Sequence, residues 1–308
     1  MINRALIRLK VVQLIYAFYQ NEGKTTEVAL KELDFSLEKS YDLYHSLLAL
    51  LVEVRRLAQH KVDVRSRSVL NPLNNDRSND CLIENNKFLI QLEQNKTLSA
   101  WMEKQKNSWA NEDKFLKTIY DLFTSDEVFL NYVDKGDDSY DADRELIRKL
   151  YKTHIVNNEA FDALLEEQSL YWNDDKEIVD SFVIKTIKRF DPEKAENQEL
   201  LPAYNDMEDQ QFAAQLFRTT IERRDEIRQM MIQATRNWDI SRMAFMDTII
   251  LQIAIAEVLT FPSIPLNVTF NEYLDIAKVY STPRSASYIH GMLDNIVKRL
   301  KEEGAILK

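Results

Sequence analysis

The sequence predicts an all-α protein, and three observations carry that prediction. Only 4 of the 308 residues are Gly (Gly23, Gly136, Gly291, Gly304) and 6 are Pro. A sheet-rich or α/β chain of this length needs many tight turns, and tight turns draw on Gly. Apolar residues make up 45%, enough to bury a core. Charged residues reach 29%, with Leu, Glu, Lys, Ile and Ala abundant, as helices with a solvated face require.

The same composition excludes several kinds of chemistry. No Gly-rich loop is available to cradle a nucleotide phosphate. One Cys (Cys81) and four scattered His (His45, His60, His154, His290) give no metal-ligand spacing and no disulfide, so neither a metal nor another cofactor is expected. Cytoplasm is the compartment this cysteine usage suits. No apolar run reaches membrane-spanning length. The start, "MINRALIRLKVVQLIYAFYQ", holds three cations and no acid before Glu22, as a targeting segment does. Lys10 and Gln13 interrupt its apolar run, and no small-residue cleavage site follows, so a first structural helix is expected instead.

The net charge is −10, which taken whole argues against nucleic acid. Its distribution matters more. Residues 1–67 carry 11 basic and 8 acidic side chains, residues 68–235 carry 21 and 34, and residues 236–308 carry 8 of each. The excess acid lies in the middle, and neither end is barred from an anionic partner.

In chain order, residues 3–20 read as a helix capped by Asn3, with Arg4 and Arg8 one turn apart on one face. Residues 25–34 and 36–63 read as helices. "VRSRSVLNPLNNDRSND" (64–80) lacks a sustained period and reads as a linker. Shorter helices fit between 84 and 132, and an acidic loop occupies 134–143. Helices over 143–172 and 174–190 end in an irregular segment. Further helices are expected near 207–236, 240–260, 268–280 and 284–303. At an offset of 66, residues 146–172 lie over 212–238 without gaps. Leu150 falls on Leu216, Tyr151 on Phe217 and Trp172 on Trp238. Shared helical period explains most of that register, but the Trp match points to a partial internal repeat.

The last quarter is the most informative. Asp239 reads as an N-cap. From Met243 the helix is apolar almost all round, with Asp247, Gln252 and Glu257 as interruptions, so it is expected at the centre of a bundle. The helices over 207–236, 268–280 and 284–303 would surround it. "TFNE" (269–272) fits a capping box. Tyr288, Ile289, Met292, Leu293, Ile296, Val297 and Leu300 form a heptad-like seam. Gly291 sits inside it, and suggests the close approach of another backbone. His290 and Asp294 lie one turn apart and are expected to pair at the surface. In "STPRSASYIHGMLD" (281–294), Thr282 can cap the helix that follows and Pro283 can occupy its first turn.

"NWDISRMAFMDTIILQIAIAEVL", "IPLNVTFNEYLDIAKVY" and "YIHGMLDNIVKRL", in that order, resemble the NusB family of bacterial transcription antitermination factors. "RALIRLKVVQLIYAFYQ" resembles the family's first helix. The resemblance covers about 4–20 and 207–300. It implies an all-α, NusB-like pair of helical bundles, with 68–205 as an additional acidic helical insertion between core segments 1–67 and 206–308. It implies no enzyme activity and no small-molecule substrate. The partners it implies are single-stranded, boxA-like RNA of ribosomal RNA leaders, the small-subunit ribosomal protein NusE, and the RNA polymerase antitermination complex.

By the same resemblance, Arg4, Arg8 and Lys10 at one end and Arg284 and Tyr288 at the other contact RNA, while Tyr16 and Asp247 face NusE. Ala5 and Leu6 stand where the family tends to place further Arg, and His290 replaces an Asn. Each residue also has a plainer reading. Arg4 and Arg8 suit solvated cations, Tyr288 the first residue of its seam, and Tyr16 a buried Tyr bonded to a carbonyl. Asp247, costly to bury alone, must be paired or at an interface. The thinned arginines and acidic middle favour an alternative, a helical protein-binding scaffold without RNA recognition. A third reading, the RNA-targeting domain of a ribosomal RNA methyltransferase, needs Gly turns and a nucleophilic Cys that this chain does not supply. On the first reading, the 281–294 elbow is the second half of an RNA site begun by Arg4 and Arg8.

Overall fold

The structure is a computed structural model of the chain. It describes residues 1–21, 23–67, 78–105, 109–156, 158–172, 174–235 and 243–307. Among them are fifteen α-helices and no strand, only an isolated bridge between Ile2 and Tyr204. The helices are α1 (Arg4–Gln20), α2 (Thr26–Ser66), α3 (Asn79–Glu84), α4 (Lys87–Gln94), α5 (Lys96–Lys104), α6 (Asp113–Ser125), α7 (Glu127–Lys135) and α8 (Tyr140–His154). After them come α9 (Glu159–Gln168), α10 (Lys176–Arg189), α11 (Met207–Glu222), α12 (Arg224–Ala234), α13 (Phe245–Thr260), α14 (Leu266–Tyr280) and α15 (Ser285–Glu302). No helix among the described residues is long and apolar enough to cross a membrane.

The chain divides into two compact units. The terminal unit comprises 2–38 and 203–308, and the central unit comprises Met1 and 39–202. In the terminal unit, α13 is the core, as its all-round apolar sequence predicts. Ile249 through Val258 are all buried, and α1, α11, α12, α14 and α15 pack against this helix. Asn3 caps α1 by accepting the Leu6 N–H at 2.9 Å, as expected. The seam of α15 is buried at Ile289, Met292, Leu293, Ile296, Val297 and Leu300, whereas Tyr288 is half-buried.

Several local expectations need correction. The predicted break at residue 35 is absent, and α2 runs unbroken for 41 residues because no Pro or Gly interrupts it. The helix predicted over 207–236 is two helices, broken at Arg223 (φ −98°, ψ 18°). Nothing in the local sequence marks that break. Pro265 stands at the N-cap of α14, which places Thr269 a turn inside the helix, so "TFNE" is not a capping box. A Cβ on Gly291 would meet nothing within 4 Å, so no backbone approaches it. His290 is at the surface as expected, but Asp294 bonds Lys298 Nζ (2.7 Å), and His290 meets the Phe270 ring edge-on. The Asp239 cap, Trp238 and 68–77 of the linker lie outside the described residues.

The offset of 66 reappears in the helices. Shifted by that amount, α8 and α9 coincide with α11 and α12 to within two residues at every boundary. Asp143, Leu146, Ile147, Leu150 and Tyr151 are buried in α8, and so are their counterparts Asp209, Phe212, Ala213, Leu216 and Phe217 in α11. Phe161 and Leu165 of α9 fall on Ile227 and Met231 of α12, all four buried.

Candidate nucleic-acid interface

Two polar clusters flank the apolar middle of α13, and between them they take in most of the residues singled out in the sequence. The first lies in the last turn of the helix. Glu257 is fully buried and accepts four hydrogen bonds. Arg8 donates two, from Nε (2.8 Å) and Nη2 (2.9 Å), Thr269 Oγ1 donates a third (2.8 Å) and Tyr273 Oη a fourth (2.9 Å). Arg8 also lies 3.4 Å from Glu272 and above the Phe212 ring. Burial alone would lower the pKa of the Arg8 guanidinium, but the hydrogen bonds and charge of Glu257 outweigh it and raise the net value. The Tyr273 hydroxyl is pushed well above its ordinary range, first by burial and then by the Glu257 charge. This cluster ties α1, α13 and α14 together.

Arg8 is 2% exposed and Lys10 1% exposed, so neither presents its charged head to the surface, where the family resemblance had put them. Arg4 is half-buried. Its Nε bonds Asp209 (2.9 Å), Glu208 lies 3.7 Å away, and the guanidinium sits over Phe212. The apolar i, i+3 and i+4 neighbours of Arg8 turn its side chain inward with theirs, and a buried acid elsewhere in the chain can receive it. Sequence reading had no way to see that acid was Glu257.

The second cluster lies in the first turn of α13. Asp247, 5% exposed, accepts from the Ser281 and Ser285 hydroxyls, the latter at 2.8 Å. The Thr282 N–H donates to Ser285 Oγ (3.1 Å), and the Thr282 and Ser285 hydroxyls are 2.8 Å apart. Thr282 is thus not the side-chain cap expected of it. Ser285 reaches back to Thr282 instead, and Asp247 anchors the whole elbow. Above this anchor Thr282, Pro283 and Arg284 are exposed, and no ion-pair partner engages Arg284 among the described residues. Burial, and then the nearby Asp247 charge, raise the Tyr288 hydroxyl's pKa.

Asp247 and Glu257 are ten residues apart, so the clusters are separated by roughly 15 Å along the helix. The elbow does not adjoin Arg4 and Arg8. It shares its end of α13 with Tyr16, whose ring packs on Phe245 at 5.5 Å. Both rings are exposed, Tyr16 by 39% and Phe245 by 42%. Beside them is a cleft of about 380 Å³ lined by Tyr19, Arg224, Arg228, Phe245 and Gln252 among others. Phe245 and Arg224 were missed in the sequence. Phe245 was read there only as part of an all-round apolar helix, and nothing in the sequence marked Arg224.

The model of the NusB family matches residues 177–298. The match begins in α10, ahead of the 207–300 stretch and inside the segment expected to lack a counterpart, and it does not include α1. The Transcription antitermination protein NusB of Salinibacter ruber is 35% identical over 108 residues, which are 35% of this chain and 68% of that protein. The chain belongs to the NusB family. The Geobacter sulfurreducens protein of the same name is 42% identical over 93 residues, 30% of this chain and 67% of that protein. That of Thermodesulfovibrio yellowstonii is 45% identical over 87 residues, 28% of this chain and 58% of that protein. No solved structure gave a significant match. Both clusters' acids, Asp247 and Glu257, lie inside the span matched to NusB, whereas α2 to α9 lie outside it.

Proposed function

We propose that the chain is a non-catalytic, RNA-binding transcription antitermination factor of the cytoplasm. On this reading it acts with NusE on boxA-like leader RNA within the RNA polymerase antitermination complex. The observation that carries the reading is the match of 177–298 to NusB, with relatives named transcription antitermination protein. The elbow geometry supports it. The N-terminus of the 18-residue α15 has no side-chain cap, Arg284 adds an exposed charge without an ion-pair partner among the described residues, and Tyr288 stands one turn on.

The roles of the site residues divide accordingly. Arg284 and Tyr288 meet RNA, and Arg4 contributes from its half-exposed position when it exchanges Asp209 for phosphate. Arg8 and Lys10 serve the fold. Tyr16 meets the protein partner together with Phe245, and Asp247 acts on both surfaces by fixing the elbow. The shared boundaries and buried positions of α8–α9 and α11–α12 support reading the part of 68–205 that precedes the matched span as an insertion built on a partial copy of the core. The test is gel retardation by the full chain plus NusE. A boxA RNA should be retarded more than a scrambled RNA, and less so as salt rises. Equal retardation of both would overturn the reading.

A scaffold without RNA recognition is the second reading, and the burial of Arg8 and Lys10 favours it. Arg284→Glu separates the two. It should abolish boxA preference in an RNA-binding factor and change nothing in a scaffold.

A further inference from the structure

The central unit contains a cleft of about 880 Å³ that the antitermination reading does not use. Three tryptophans stand in its wall, and each is held by its indole N–H. Trp172 donates to the Lys39 carbonyl (2.8 Å), Trp101 to the Asp42 carboxylate (3.2 Å) and Trp109 to the Ser46 carbonyl (2.7 Å). Positions 39, 42 and 46 follow one face of α2. Three separate segments (α5, the turn after it, and the end of the α9 connection) therefore fix their indoles onto one helix by the polar edge. Trp109 is only 4% exposed and backs the wall, while the half-buried Trp101 and Trp172 present carbon surface to the cleft.

The charge of the cleft is unbalanced. Asp42, Glu53, Glu103 and Glu112 line it, against Lys39 and Arg56. Both cations are already committed, Lys39 to Asp42 (2.8 Å) and Arg56 to Glu53 and Glu93 (2.8 Å each). Glu103 and Glu112 have no ion-pair partner among the described residues. The unit around them carries 23 basic and 31 acidic side chains. Aromatic faces alone suit a nucleobase as well as a cation. Carboxylates at the rim repel a phosphate backbone and attract an ammonium or guanidinium, so they decide between the two.

We propose that this cleft is a docking site for a basic peptide segment of a partner protein, whose Arg or Lys side chains lie along the Trp101 and Trp172 indoles with their charged heads toward Glu103 and Glu112. The site is independent of the elbow and of any RNA bound there. It gives the central unit a recruiting role of its own.

The test uses the full chain and a fluorescein-labelled octapeptide of alternating Arg and Ala, read by anisotropy. The controls are the Glu/Ala twin of that peptide and an octauridine RNA. The Arg peptide should bind and the Glu twin should not. The double change Glu103→Lys with Glu112→Lys should weaken binding about tenfold or more, because it places like charges opposite the ligand. Glu103 is exposed, and Glu112 is half-buried at the start of α6 without a side-chain cap bond, so far-UV circular dichroism should change little. Asp121→Lys with Asp134→Lys makes the same change of net charge at exposed positions outside the cleft, and should weaken binding less than about twofold. Trp172→Leu removes a ring without changing charge and should also weaken binding. Four results would overturn the proposal: no binding of the Arg peptide, equal loss in the two charge variants, no loss on Trp172→Leu, or octauridine binding that the Glu103/Glu112 variant alters.

Discussion

The two ends of α13 solve one problem in different ways. Each buries a carboxylate, but Asp247 is held by neutral hydroxyls and Glu257 by a guanidinium, a threonine and a tyrosine. The helix dipole accounts for the difference. Asp247 lies in the first turn, where unpaired N–H groups already favour negative charge. Glu257 lies in the last turn, where the carbonyl ends disfavour negative charge, and a formal cation offsets its buried carboxylate. Arg8 is that cation. In this chain the arginine that the family resemblance assigns to RNA is committed to the interior by an acid 249 residues away.

The largest effect should come from breaking the charged end. Arg8→Ala leaves Glu257 buried without its counter-ion, and should destabilise the terminal unit by about 3–5 kcal/mol, read by denaturant unfolding. Glu257→Ala should cost a similar amount. The double variant should cost clearly less than the sum, since the pair is coupled. It should not recover wild-type stability, because Thr269 and Tyr273 lose their acceptor with Glu257. Additive losses would mean that the two side chains contribute separately, and the dipole argument would fail.

The neutral end should be softer. Asp247→Ala removes the acceptor of two hydroxyls, of which the buried Ser285 can still donate to Ser281 Oγ (3.0 Å), and should cost about 1–3 kcal/mol. Its more telling effect is on the elbow. On the proposed RNA-binding reading, release of Ser281 and Ser285 should lower boxA affinity even though Asp247 itself touches no ligand. Asp247→Asn keeps an oxygen for one hydroxyl and should lie between. A loss of stability with RNA affinity intact would detach the anchor from the RNA surface.

Much of this was legible in the sequence. An all-round apolar helix can only be central, and α13 is. The α15 seam and the Asn3 cap follow from spacing and side-chain chemistry. Asp247 had to be paired or at an interface because a lone buried carboxylate is too costly, and it is paired, with serines of the elbow itself. The pairing of Arg8 was not legible, because a cation at a helix start looks the same whether its acid is in solvent or far along the chain. The elbow was joined to Arg4 and Arg8 because family resemblance carries roles but no distances. The aromatic cleft was invisible for a related reason. Trp101, Trp109 and Trp172 are spread over seventy-odd residues and meet only through α2.

Gly291 offers a smaller test in the opposite direction. Its Cβ position is open, so Gly291→Ala should stabilise α15 by about 0.5–1 kcal/mol through helix propensity. It touches neither acid, so RNA affinity should stay unchanged while the unfolding midpoint rises. A fall in stability would show that the glycine is needed for an approach that the structure does not contain.

The smallest effect on the fold should belong to Arg284, and the comparison of the two ends depends most on it. Arg284 is exposed and makes no side-chain cap bond, so Arg284→Ala should change stability by less than about 0.5 kcal/mol. If the neutral end of α13 exists to hold a phosphate-binding elbow, one counterion's worth of salt dependence should vanish with that side chain. The slope of log affinity against log salt for a single-stranded boxA RNA should flatten by about 0.7. Arg8→Lys is the contrasting variant at the charged end. It keeps a cation but loses the two-pronged fit to Glu257, so it should lower stability and leave the slope alone. A slope that responds to Arg8→Lys and not to Arg284→Ala would reverse the assignment, placing RNA at the Glu257 end and leaving the elbow as a turn.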